Sequence, residues 1–146
     1  MKELVILLIL FFTALPSLVA QEWQTNFEDA LEIASEENKP IILVFQGSDW
    51  CAPCIKLDRE IWSSEVFKKY AADHYVMLQA NFPRKKMNAL SETQTKANAK
   101  LAETYNKQGF FPHVVILDSK GNVLGETGYK KTTPEKYINV LNTYID

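Results

Sequence analysis

The chain has 146 residues, 47% hydrophobic and 23% charged, with a net charge of −2. That length and balance fit a single globular domain with a core of its own. The small negative charge gives no electrostatic basis for nucleic-acid capture, and the short basic run Arg84–Lys86 reads as a solvated loop, with a docking role as the lesser reading.

Residues 1–20, MKELVILLILFFTALPSLVA, differ in kind from the rest. One lysine precedes an apolar stretch from Leu4 to Leu15, followed by Pro16 and small residues ending at Ala20. This is the layout of a secretory signal peptide, and the apolar stretch is short for a membrane span. Two details depart from the pattern: Glu3 offsets Lys2, and Leu18 takes a place where a small residue is usual. The expectation is a signal peptide over 1–20, with an uncleaved anchor as the alternative. Residues 21–146 are then a periplasmic or secreted domain, a monomer with no stable membrane span after processing.

Downstream, TNFEDALEIASEENKP predicts a helix. Thr25 or Asn26 can cap it, Phe27, Ala30, Leu31 and Ala34 recur at helical spacing, and Pro40 stops it. IILVF is short, continuous and β-branched, which predicts a strand buried on both faces. CAPCIKLDREIW turns helical, and Ser63 or Ser64 restarts a second piece, SEVFKKYAADH. YVMLQANF is a strand and SETQTKANAKLAETYN a long polar helix. HVVILD, SKGN and VLGETGY form a hairpin, and the last helix has Thr133 as cap and Pro134 at its first position. Alternating helices and strands predict an α/β fold with parallel strands and an antiparallel edge from the last hairpin.

The two cysteines of the chain, Cys51 and Cys54, stand three apart where the first strand runs into a helix. In α/β sheets that carboxyl edge is where chemistry collects. Placed as N-cap, Cys51 faces the unpaired N–H groups of the first turn and the positive end of the helix dipole. Pro53 has no N–H, which leaves the Cys54 N–H and thiol as donors. Cysteines in such settings have pKa values of about 3.5–7.5, against about 8.5 when free. Cys51 is thus the expected attacking sulfur and Cys54 the resolving one. A static disulfide and half a metal site are the other readings. The first closes an unusually short loop. The second lacks ligands, since only His74 and His113 could join the cysteines, at no zinc-finger spacing. No metal and no cofactor are expected.

From about Glu22 onward the chain resembles the thioredoxin superfamily, and within it exported bacterial thioredoxin-like proteins. The resemblance rests on WCAPC after a buried strand, a helix interrupted near Ser63, GSDWC with NFPRKK, and GFFPHVVILDSKGNVL. It implies a thioredoxin fold with a central mixed sheet of about four strands flanked by helices. It also implies a cis-proline at Pro112, the third site residue with Cys51 and Cys54, and Trp50 packing against the site.

The same resemblance implies an exported thiol–disulfide oxidoreductase, a reductase by first expectation. Its partners would be client proteins bearing disulfides or thiols and an upstream redox protein. A client-binding, chaperone-like module with incidental redox activity is the alternative. The family's buried acid before the CxxC is missing from IILVFQ. Asp58, one turn past Cys54, can stand in for it or be simply solvated. His113, next to the proline, reads as a surface histidine, with tuning of the redox site as the other reading, and Trp23 and Trp62 read as packing residues. Phe110 and Phe111 form either an apolar rim or part of the core.

Overall fold

A computed structural model describes residues 21–146. The signal-peptide expectation concerns residues outside that range. In chain order the elements are β1 (Trp23–Gln24), α1 (Phe27–Glu37), β2 (Ile41–Gln46), α2 (Ala52–Leu57) and a π-helical continuation over Asp58–Trp62. They continue with α3 (Glu65–His74), β3 (Val76–Asn81), a 3₁₀ turn (Lys86–Asn88), α4 (Glu92–Tyr105), β4 (His113–Leu117), β5 (Val123–Thr127) and α5 (Pro134–Asn142).

One five-stranded sheet runs in the order β1-β3-β2-β4-β5. β2 pairs parallel with β3, antiparallel with β4, and β4 pairs antiparallel with β5. The fold is the expected α/β class, with one strand more than the sequence pattern gives. β1 is two residues long, too short for any periodicity, and exists only because Trp23 and Gln24 pair with Met77 and Leu78.

Helices cover both faces. Ala30 and Ala34 of α1 and Leu101 of α4 pack on one side against Ile41, Leu43, Phe45 and Leu78. Leu57, Ile61 and Trp62, with α3 and α5, pack on the other against Ile42, Val44 and Met77. Alternate residues of β2 thus enter opposite cores, which is why its sequence is apolar without a break.

The caps follow the sequence closely. Asn26 accepts from the N–H groups of Glu28 and Asp29, Ser64 from Phe67, and Thr133 from Lys136. The end of α1 differs in detail: Asn38, in the left-handed region at φ 53°, terminates it before Pro40 is reached. The expected break near Ser63 is a change of helix type. The Ser63 N–H bonds back five residues to the Asp58 carbonyl (2.8 Å), a π turn that rotates Ile61 and Trp62 into the core. Among the described residues no helix is long and apolar enough to cross a membrane.

Candidate active site

β2 and β4 run antiparallel with Phe45 opposite His113. That register brings the segment leaving β2, Gly47–Cys51, and the segment entering β4, Phe110–Pro112, to the same edge of the sheet. Cys51 is the N-cap of α2, in extended conformation, and its Sγ accepts from the Cys54 N–H at 3.3 Å. Pro53 lies in the first turn, where its missing N–H leaves no helical bond unmade. The two cysteines are joined as a disulfide with Cα atoms 5.2 Å apart. Both are nearly covered, Cys51 4% exposed and Cys54 3%.

The Phe111–Pro112 bond is cis, as the resemblance implies. The loop before it is held by buried Asn106, which donates to the Phe110 carbonyl (2.9 Å) and accepts from the Phe110 N–H (3.0 Å). Phe110 and Phe111 part ways. Phe110 is 54% exposed, whereas Phe111 packs edge-on between Trp50 (5.4 Å) and Phe82 (5.5 Å). Trp50 donates from Nε1 to the Phe82 carbonyl at 2.7 Å, and the Arg84 guanidinium lies 3.7 Å from its ring centroid. The tryptophan beside Cys51 therefore joins the helix start, the proline loop and the segment following β3.

That segment is stitched down by Asp49. Its carboxylate accepts from the N–H groups of Arg84 (2.9 Å) and Lys85 (3.0 Å) and from Asn88 Nδ2 (3.0 Å). These donors hold its pKa well below the usual carboxylate value, at about 2, the Arg84 N–H contributing most. Ser48 adds two bonds to Asn81. Asp49 lies inside the GSDWC motif, but no sequence signal marks it as a site residue or predicts this bracket. The GSDW and NFPRKK motifs are each visible, but nothing in them says that they touch.

Behind Cys54 a cavity of about 300 Å³ is lined by Trp23, Gln46, Ser48, Ile55, Asp58 and Gln79. Gln46 points toward it and donates to Gln79 Oε1 at 2.8 Å, so two amides occupy this cavity and Asp58 lies among its lining residues. Asp58 is exposed and accepts from Ser63 Oγ at 3.2 Å. It shares the cavity with Cys54 but is not a buried acid.

His113 corrects an expectation: it is buried, 8% exposed, not a surface residue. As the first residue of β4 it turns its ring toward Phe45 and stands 3.9 Å from Glu126 on β5. Trp62 is fully in the core and Trp23 packs edge-on against it, as expected of packing residues. Among the described residues no group of three or more His, Cys, Asp or Glu side chains is placed to hold a metal ion.

A family model described as thioredoxin-like matches residues 22–119. The chain belongs to the thioredoxin-like family. Disulfide bond reductase DsbH of Chlamydia pneumoniae is 36% identical over 124 residues, covering 85% of this chain and 72% of that protein. Thioredoxin-related protein DsbJ of the same organism is 30% identical over 91 residues, 56% of this chain but 26% of its own length. A solved DsbH oxidoreductase superposes with a TM-score of 0.79 at 32% identity, covering 92% of both chains. Within the thioredoxin-like family a cysteine pair at this helix start carries out thiol–disulfide exchange, and this chain is a thiol–disulfide oxidoreductase.

Proposed function

We propose that the chain is an exported reductase of protein disulfides, made as residues 1–20 of signal peptide and 21–146 of mature domain and working in the periplasm or outside the cell. The observation that carries the reading is Cys51 as helix N-cap, with the Cys54 N–H on its sulfur. A thiolate there is stabilised by that donor and by the helix dipole. Cys54 is one turn away and already within bonding range.

In the reduced form the Cys51 thiolate attacks one sulfur of a client disulfide. An S–S bond forms to Cys51, the client S–S bond breaks, and one client sulfur leaves as a thiolate. The Cys54 thiol gives up its proton and attacks Cys51 Sγ, which closes the Cys51–Cys54 bond and expels the second client sulfur. Two electrons pass from the dithiol to the client, whose two thiolates take up protons. An upstream dithiol protein must then reduce Cys51–Cys54, because the proposed cycle uses no cofactor. The direction is supported by the Chlamydia pneumoniae relative, a disulfide bond reductase.

Insulin reduction and equilibration with glutathione test this. The expected potential lies nearer the thioredoxin value of about −270 mV than the about −120 mV of a strong oxidant. A value at the oxidising end reverses the direction. Turnover that survives Cys51→Ala/Cys54→Ala rejects the dithiol. A client-holding module would suppress aggregation equally well with that double variant, which the proposal does not expect.

A further inference from the structure

The basic run Arg84–Lys86, read from sequence as a solvated loop, is a fixed part of the candidate site. All three side chains are exposed, and Met87 beside them is 86% exposed. The backbone beneath is immobilised by Asp49 through the N–H groups of Arg84 and Lys85 and through Asn88. Arg84 in turn lies on the ring of Trp50, the residue next to Cys51. Holding three like charges together costs repulsion, and the one carboxylate in the loop, Asp49, accepts its hydrogen bonds from two backbone N–H groups and Asn88 and offsets one of the three charges. Among the described residues none of the three cations has an ion-pair partner. In a chain of net charge −2 this edge is a local positive field beside an almost covered disulfide.

We propose that the Arg84–Lys85–Lys86 edge docks acidic polypeptide segments that flank the disulfide of a client. This rests on the reductase reading. Trp50 stands next to Cys51 and carries Arg84 on its ring, so a polypeptide whose cystine is seated at Cys51 runs past this edge. A carboxylate a few residues from the client cystine then passes the three cations. Complementary charge of this kind raises encounter rates and fixes register, and exposed cations lose their reach beyond a Debye length of about 10 Å at 0.1 M salt.

The test uses two disulfide-bridged peptides identical except for Glu or Lys residues flanking the cystine, and a small uncharged disulfide. At low salt the wild type should reduce the Glu peptide about tenfold faster in kcat/KM than the Lys peptide, and the gap should close in about 0.5 M NaCl. Lys85→Glu/Lys86→Glu should abolish or invert the preference when both peptide rates are taken relative to turnover of the uncharged disulfide by the same variant. Equal rates for the two peptides in the wild type overturn the proposal. So does a variant that slows all three substrates alike, which would make the cations part of the sulfur chemistry instead. A Cys51→Ser/Cys54→Ser chain, titrated with the same peptides by tryptophan fluorescence, keeps the docking testable if the redox reading fails. Tenfold tighter binding of the Glu peptide is expected there, and equal binding overturns docking whatever the cysteines do. Co-sedimentation with phosphatidylglycerol vesicles without any peptide preference would assign the edge to lipid and also overturn it.

Discussion

Gly47→Ala tests the wall that Trp50 builds beside Cys51. Gly47 is buried, and its carbonyl accepts the N–H groups of Trp50 (3.3 Å) and Cys51 (2.9 Å). A Cβ here would stand 2.5 Å from Trp50 Cζ2 and Nε1, and nearer still to Cε2. No carbon tolerates that, and the indole is not a loose end that can turn aside. It gives a 2.7 Å hydrogen bond to Phe82, meets Phe111 edge-on and carries Arg84 on its face. Displacing it forfeits a hydrogen bond worth about 1 kcal/mol net. It also loses an aromatic pair worth about 0.5–1.5 kcal/mol and an exposed cation–π contact of about 0.5–1 kcal/mol. The expected loss is about 2–3.5 kcal/mol, a fall of about 1–1.7 M in the urea midpoint if the slope is about 2 kcal/mol/M. Unfolding followed by circular dichroism reads it directly. The whole cost lies in displacing the indole, so the same change in a Trp50→Ala background should cost under about 0.5 kcal/mol. Additive losses in that cycle, or a Gly47→Ala protein as stable as wild type, would refute the reasoning.

Three further outcomes are expected, two from the geometry of the site and one from the sequence of residues 1–20. Cys54→Ser should accumulate mixed disulfides with client proteins and Cys51→Ser almost none, as read on non-reducing gels after acid quenching; equal trapping by both would reverse or dissolve the proposed roles. The Asp49 carboxylate, held at about 2 in the fold against an ordinary 3.8, stabilises the loop bracket above the ordinary value and loses that contribution as pH falls through about 2. The amide resonances of Arg84 and Lys85 should therefore stay flat down to about pH 4 and move with a midpoint near 2, and a midpoint at the ordinary carboxylate value would mean the bracket does not form in solution. The exported form should begin at Gln21, and intact-mass analysis that finds Met1 retained in a membrane fraction would replace cleavage with an anchor.

Much of the fold was legible in the sequence because its signals are local. β2 is an unbroken apolar run over Ile41–Phe45, rich in β-branched residues and bounded by Pro40 and Gly47, and it reads as a doubly covered strand before any partner is known. Ser64 and Thr133 mark helix starts through bonds to N–H groups three residues on. The candidate site was half legible for the same reason. Cys51, Pro53 and Cys54 lie within one helical turn, and their relation is set by that turn alone.

The tertiary structure decided what depends on partners remote in the chain. Asp49 meets Arg84, Lys85 and Asn88 across 35 to 39 residues, a pairing no periodicity encodes. β1 exists only where β3 offers it an edge. His113 looked like surface because a lone histidine carries no burial signal, and it is buried because antiparallel pairing seats it opposite Phe45. Phe110 and Phe111 are chemically identical neighbours in the sequence, yet Asn106 fixes the loop so that one faces solvent and the other enters the space between Trp50 and Phe82. Side-chain chemistry and short-range spacing determine which groups can react and where helices begin. Which distant groups surround them is set by the packing of the sheet and its loops, where the free energy of contact depends on residues the local sequence does not contain.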